Sequence, residues 1–173
     1  YKRQVEQLAP VLTAVFTPLF AVMAATGTVA YAVTGPFDVF DRELLGVFDA
    51  LLVAVLALVL YDVATRGPAT VPSWRDRIQL VAVGSAVLLD VMVLAAMAVR
   101  IGELGFTPNR TVALGLNLLL LVDLAVGGGR TALFVTGRIG FGPVERWHGA
   151  YLPVFALWAA AVVLVLPLLF RFR

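Results

Sequence analysis

The sequence has no cysteine, and it has a single histidine and a single lysine among 173 residues. The absence of cysteine excludes disulfides, iron–sulfur clusters, zinc-thiolate sites and cysteine nucleophiles. His148 alone cannot build a histidine metal cluster or a pair of haem ligands, so we expect no metal site and no cofactor. Charged residues make up 14% of the chain, against about 25% in an ordinary soluble domain. These shortages exclude a soluble globular enzyme, a disordered chain and a nucleic-acid-binding protein.

Apolar residues are abundant, at 61% of the chain, and the mean hydropathy is +0.97. A helix needs about 20 apolar residues to cross a hydrocarbon core roughly 30 Å thick. Five runs reach or approach that length: Leu8–Val33, Leu44–Tyr61, Ile78–Val99, Thr111–Val126 and Tyr151–Phe170. None of the 13 basic residues falls inside them. The sequence therefore predicts an all-α integral membrane helical bundle, with residues 1–173 forming a single transmembrane domain of five transmembrane helices.

The fourth run is short, and three glycines, Gly127 to Gly129, follow it. Its 16 residues span only about 24 Å at 1.5 Å per residue. Either the helix stops at the glycines or it continues through them. We favour continuation to about Thr136, because membrane helices tolerate glycine better than soluble ones do. The last helix then begins near Pro143, a residue type that suits the first helical position.

The distribution of Lys and Arg predicts an orientation. Eight of these residues fall on one side, in the N-terminal segment, the loop Arg66–Arg77 and the stretch Arg130–Arg146, and five fall on the other. The positive-inside rule places the larger group, and with it the N-terminus, in the cytoplasm. Because Arg, Ala, Val, Leu and Gly dominate the composition, we expect a multi-pass protein of a bacterial cytoplasmic membrane.

The segment between the third and fourth runs predicts a tight helical hairpin. Gly105 suits the left-handed position that ends a helix. Thr107 suits the N-cap of the next helix, and Pro108 suits its first turn. Glu103 and Arg110 flank the turn at a spacing that allows an ion pair across it.

The pattern Glu-x-Gly-Phe-Thr-x-x-Arg over residues 103–110 resembles a motif of bacterial polytopic membrane proteins that are described only as a domain of unknown function. The later segments Arg146-Trp147-His148 and Tyr151-Leu152-Pro153 are similar to the C-terminal end of that family. The resemblance covers roughly residues 36–170 in layout, although only the hairpin is specific. It implies that this chain is the C-terminal portion of a longer membrane protein. It implies no catalytic residue, because the family has no established activity.

Three carboxylates and one asparagine lie inside the apolar runs, namely Asp49, Asp90, Asp123 and Asn117. Counting 1.5 Å per residue from the hairpin side places Asp49, Asn117 and Asp90 about 9–15 Å deep, and Asp123 about 20 Å deep. A charge at the bilayer centre costs about 2.5–3.5 kcal/mol on insertion scales, so each carboxyl group needs a partner or a proton. These depths predict that the partner of Asp90 is Asn117 or Asp49. Three interpretations stand: interhelical hydrogen bonds that hold the bundle together, a polar path for protons or cations, or a site for a lipid substrate.

No sequence pattern indicates catalysis, because nucleophile-elbow, metalloprotease and phosphate-loop motifs are all missing. His148 and Glu145 share one interfacial turn, and we expect them to form a solvated face rather than a lipid-headgroup site. Three function classes remain. The first is a transporter-like or channel-like module, the second a scaffold or accessory subunit, and the third a lipid-modifying enzyme. Expected partners are the lipid bilayer and other membrane helices, including self-association. Ala24, Thr28 and Ala32 form the small-residue face that a scaffold would use.

Overall fold

The computed structural model describes residues 42–67 and 69–169, together with the isolated positions 18, 19, 22, 23, 25–27, 29 and 33. The described continuous segments consist of helices joined by short loops and contain no strand. They form five helices, of which the last is a single short turn: α1 Arg42–Thr65, α2 Trp74–Leu104, α3 Pro108–Val135, α4 Gly142–Leu164 and α5 Leu166–Leu169. The chain in these segments folds as a helical bundle.

Four spans of the described chain are long and apolar enough to cross a membrane: Gly46–Thr65, Trp74–Leu104, Pro108–Val135 and Gly142–Leu169. They correspond to the second through fifth predicted runs. The first predicted run, Leu8–Val33, falls largely outside the described residues, and so do Ala24, Thr28 and Ala32 of the predicted small-residue face. The described positions within it are helical, and a Cβ atom at Gly27 would lie 3.1 Å from Cε1 of Phe48.

Local sequence signals define the helix ends at the hairpin. Gly105 adopts φ +73° and ends α2, with its N–H donating to the carbonyl of Ile101. Thr107 is the N-cap of α3, where its hydroxyl accepts a bond from the backbone N–H of Arg110, and Pro108 occupies the first turn. The predicted turn between Gly105 and Thr107 is confirmed. Only a residue without a side chain adopts this positive φ readily.

Helix α3 continues through the three glycines to Val135, which confirms the predicted continuation. Two of its glycines let neighbouring helices approach closely. A side chain at Gly115 would overlap the indole ring of Trp158 on α4, and one at Gly128 would lie 2.8 Å from Cγ1 of Val83 on α2. In lipid there is little hydrophobic drive between helices, so such close packing of small residues supplies much of the cohesion.

Helix α4 begins nine residues before the apolar run does. Pro143 lies in its first turn, as predicted, and Glu145 adds an acidic side chain where the helix dipole favours one. Pro153 lies inside the helix. The helix ends at Leu164 because Pro167 lacks the N–H that would bond back to Val163, and the chain resumes as α5.

The core lies between α1, α2 and α3 and is closed at one end by the start of α4. Its largest cluster of buried apolar side chains is Leu52, Val55, Leu56, Val59, Val63, Val83, Ala86, Leu120, Leu124, Phe134, Phe141 and Val144. Large apolar side chains on the outer faces, such as Leu88, Leu157 and Leu168, are exposed. This is the arrangement expected where lipid, not water, surrounds the helices. The polar side chains that are buried therefore stand out.

Candidate functional site

The hairpin end of the bundle brings together two of the four predicted intramembrane residues. Asn117 on α3 donates a hydrogen bond from Nδ2 to Oδ1 of Asp49 on α1, at 2.8 Å. The same amide nitrogen lies 3.9 Å from the sulfur of Met97 on α2. Asn117 is fully buried, whereas Asp49 is partly exposed. The pair thus joins three helices and has one side open to the surroundings.

Asp90 is fully buried on α2, and neither of its carboxylate oxygens has a hydrogen-bond partner in the described part of the chain. Asn117 and Asp49, the partners predicted for Asp90, are hydrogen-bonded to each other instead. Asp49 is near enough to Asp90 for the two carboxylates to interact electrostatically. Asp90 is therefore a buried acid with a second acid nearby.

The packing of α2 against α3 explains why Asp90 lacks a partner. Met97 contacts Asn117, and Val83 lies against Gly128, so the line of contact runs antiparallel along the two helices. Asp90 is seven residues from both Val83 and Met97, which places it on the same helical face and midway between them. Over this stretch, the α3 residues on the same face as Asn117 and Gly128 are Leu120, Leu121 and Leu124. This part of α3 therefore presents leucines, and no polar side chain, to the level of Asp90.

A cavity of about 900 Å³ lies at the hairpin end and reaches Asp49. Its wall includes Arg100 and Arg110, the helix start at Thr107, and apolar residues of α4 and α5 such as Val162. The partly exposed carboxylate of Asp49 is therefore accessible from this end. The polar groups are arranged in order of depth along the bundle. Two arginines line the cavity at the hairpin end, the Asp49–Asn117 pair lies further in, and Asp90 lies deeper still.

Arg110 caps the preceding helix. Its Nη1 donates to the carbonyl oxygens of Gly105 at 2.9 Å and Leu104 at 3.3 Å. These carbonyls belong to the C-terminal end of α2, where a cation also complements the helix dipole. The predicted ion pair between Arg110 and Glu103 does not form among the described residues, because the two backbone carbonyls occupy the guanidinium group. Glu103 is exposed.

Asp123 pairs with His148 rather than with the cluster around Asp90. Nδ1 of His148 lies 3.2 Å from Oδ2 of Asp123, and the two side chains are 2% and 1% exposed. The expectation that His148 and Glu145 form a solvated face is wrong for His148, which points into the bundle. Gly127 explains the fit, because a Cβ atom there would lie 2.5 Å from Cε1 of the imidazole ring. The indole N–H of Trp147 also donates to the backbone carbonyl of Asp123, at 3.3 Å.

A partly buried ion cluster at the opposite end from the hairpin has no counterpart among the predicted site residues. The guanidinium group of Arg66 bonds to Asp76 and, at 2.8 Å, to Asp62. Asp76 also accepts the backbone N–H of Ser73 at 2.6 Å, and Arg66 lies over the ring of Phe141, 5.6 Å from its centroid. Two sequence signals indicate this cluster: Asp62 and Arg66 at i,i+4 spacing, and the capping-box pattern of Ser73 and Asp76. The cluster ties the loop after α1 to the starts of α2 and α4.

Fold and site together define a polytopic helical membrane protein with acidic and amide side chains buried between its spans. No protein-family model matches the chain, and the searches of curated proteins and of solved structures found no match either. The resemblance therefore rests on the residues that carry it, the hairpin motif at 103–110 and the segments within 146–153.

Proposed function

We propose that this chain is a transporter-like or channel-like membrane module in which protons or small cations move along a polar route from the hairpin cavity to Asp90. The single observation that carries the proposal is the state of Asp90, which is buried in the middle of α2 without a hydrogen-bond partner among the described residues. Ionisable residues inside membrane spans are costly and typically belong to ion pathways or proton relays.

The route to Asp90 supports this function. The cavity admits solvent-sized molecules as far as Asp49, whose carboxylate shares a hydrogen bond with Asn117. Asp90 lies within electrostatic range of Asp49. A cation or proton bound at one carboxylate would lessen the repulsion that the other experiences. Occupancy of the two acids is therefore coupled, which is useful for a site that binds an ion and releases it.

Flux across proteoliposomes tests the proposal. The purified chain is reconstituted with a pH-sensitive dye inside, and a potassium gradient with valinomycin drives proton entry; sodium uptake is measured in parallel. We expect wild-type flux above that of protein-free vesicles and a loss of at least tenfold in Asp90→Asn. Asparagine preserves the volume of the side chain but cannot bind a proton or carry a negative charge.

The matched control is Glu145→Gln, which removes a carboxylate that is exposed on α4. It should retain wild-type flux, since it lies outside the polar route. Equal flux in wild type and Asp90→Asn, or no flux above protein-free vesicles in the wild type, contradicts the proposal.

The bundle is proposed to lie in a bacterial cytoplasmic membrane with five spans, the first of them Leu8–Val33, and with the hairpin outside. Support comes from the basic residues at the opposite end, including Arg66 and Arg130. The cysteine-free sequence allows a direct test. Phe106→Cys at the exposed hairpin turn and Gly140→Cys in the α3–α4 loop each introduce one thiol. In intact cells, a membrane-impermeant maleimide should label the thiol of Phe106→Cys and not that of Gly140→Cys. The reverse result would show that the orientation is opposite to the proposed one.

A scaffold or accessory subunit is the second candidate, and one observation favours it. The span formed by α4 and α5 is scarcely buried against the rest of the bundle, leaving Leu157 among its exposed side chains. If this face packs on a second copy, Leu157→Cys should form a disulfide-linked dimer in membranes, whereas Leu88→Cys on the outer face of α2 should not. A lipid-modifying enzyme has less support, because His148 is enclosed rather than open to lipid.

A further inference from the structure

The Asp123–His148 pair leaves two polar atoms without a partner deep in the bundle. Within the described chain, Nε2 of His148 and Oδ1 of Asp123 are both buried and form no hydrogen bond. The contact between Nδ1 and Oδ2, at 3.2 Å, orients the ring. An Nδ1–H that donates to the carboxylate leaves Nε2 with a free lone pair. The structure thus presents a proton acceptor held in place by an acid.

Charge balance favours binding of a proton at this atom. With Asp123 ionised and His148 neutral, the pair carries one buried negative charge. Adding a proton to Nε2 gives an imidazolium and a carboxylate, which together are neutral; releasing the proton restores the single charge. An uncompensated charge in a low-dielectric interior costs several kcal/mol. The pair therefore gains by taking up a proton, and it needs no other reactant.

The surroundings offer Asp123 no other cation. On α3, Arg130 is engaged elsewhere, with its Nη1 donating to the carbonyl of Pro143 at 3.0 Å and its guanidinium lying 4.8 Å from the ring centroid of Trp147. On α4, the ionisable neighbours in the chain are Glu145, Tyr151 and Arg146; Arg146 is exposed, and its Nε donates to the carbonyl of Gly142 at 3.4 Å. On α2, the ionisable group at this level is the acid Asp90, and α1 has no charged residue between Asp49 and Asp62. The imidazole is the one group placed to neutralise Asp123 within the described chain.

We propose that the Asp123–His148 pair is a second proton-binding site of the bundle, and that the proton is the ion its polar interior handles. This inference rests on the proposed function, in which ions reach Asp90, and it identifies the ion. Asp123 and Asp90 lie at about the same level along the contact between α2 and α3, but the side chain of Asp123 contacts His148 on α4. A metal ion lacks a ligand set here, since no group of three or more His, Asp or Glu side chains forms in the described chain.

The sequence makes the pair accessible to nuclear magnetic resonance, because His148 is the only histidine. Selective ¹⁵N-histidine labelling of the protein in lipid nanodiscs reports this ring alone. Under alkaline conditions we expect a protonated Nδ1 and a bare Nε2. On acidification, we expect both nitrogens to become protonated, reversibly and with helix content unchanged.

Two variants distinguish the effect of Asp123 on the His148 ring from the effect of Glu145, which is the carboxylate nearest to His148 in sequence. Asp123→Asn should abolish the preference for the Nδ1-protonated ring, whereas Glu145→Gln should leave both nitrogen signals as in the wild type. A ring that stays neutral at every pH at which the helix content is retained, or that carries its proton on Nε2 with Nδ1 bare, overturns the inference. These measurements do not depend on transport.

Proton flux then distinguishes the inference from the proposed function. His148→Gln keeps a hydrogen-bonding side chain but binds no proton, so its flux should fall at least tenfold, as in Asp90→Asn. Wild-type flux in His148→Gln with impaired Asp90→Asn overturns the second site and leaves the proposed function in place. Flux that is unaffected by Asp90→Asn overturns the proposed function, and the nitrogen signals then decide alone whether the pair binds a proton.

Discussion

Replacing Gly127 with alanine should disrupt the contact between α3 and His148. The new Cβ would lie 2.5 Å from Cε1 and 2.6 Å from Nε2 of the ring, far inside the contact distance of about 3.5 Å. Retreat of the ring would stretch its bond to Asp123. Overpacking costs about 1–3 kcal/mol, and a lost hydrogen bond to a charged group costs about 1.5–3 kcal/mol. The gain in helix propensity from glycine to alanine is at most about 1 kcal/mol.

The balance predicts that Gly127→Ala lowers the free energy of unfolding by about 1.5–5 kcal/mol. Gly129→Ala is the matched control: it lies two residues away on the same helix, and a Cβ there meets nothing within 4 Å. That variant should match or slightly exceed wild-type stability. Reversible unfolding by dodecyl sulfate in mixed micelles, followed by circular dichroism, measures both. If the two variants unfold at the same detergent fraction, the proposed fit between Gly127 and His148 is refuted.

Two further substitutions test the ends of the helices. Gly105→Val should destabilise the bundle by roughly 1 kcal/mol or more, because a β-branched residue is strained at φ +73°; Gly102→Val, in the preceding helical turn, is the control, and equal detergent unfolding of the two would contradict the assignment. Arg66→Gln should cost about 2–4 kcal/mol, because Asp76 stays buried with only its bonds to Ser73. Arg77 is exposed, so Arg77→Gln should change the free energy of unfolding little. If Arg77→Gln destabilises the bundle as much as Arg66→Gln does, the ion pair between Arg66 and Asp76 contributes nothing specific to stability.

Much of the described architecture could be predicted from sequence because its causes are local. A run of about 20 apolar residues is long enough to cross a bilayer wherever it sits in the chain. The hairpin turn depends on Gly105 and Thr107 and on the first turn of the helix that follows. The continuation of α3 past Gly129 follows from the length a membrane requires. The helices extend beyond the apolar runs, as at Trp74 and Gly142, because polar turns outside the hydrocarbon are helical without being hydrophobic.

The two halves of the ion cluster at Arg66 can also be predicted from sequence, although each pattern spans only a few residues. Asp62 and Arg66 are one helical turn apart, and Ser73 and Asp76 form a capping box. What the sequence did not contain is the contact that joins these two local pairs. The loop after α1 folds back so that one guanidinium group serves both acids.

For the buried polar residues, the sequence determines their depth in the bundle, whereas the structure determines which of them meet. Counting residues from the hairpin places Asp49, Asn117 and Asp90 in one depth band, and two of them do meet. Depth along a helix is a property of the sequence, but the direction in which a side chain points depends on how each helix is rotated against its neighbours. That rotation is set by packing, here by Gly115 against Trp158 and Gly128 against Val83. It leaves Asp90 buried without a hydrogen-bond partner in the described part of the chain, and only the assembled bundle shows this. It also brings Asp123 to a histidine 25 residues away in sequence.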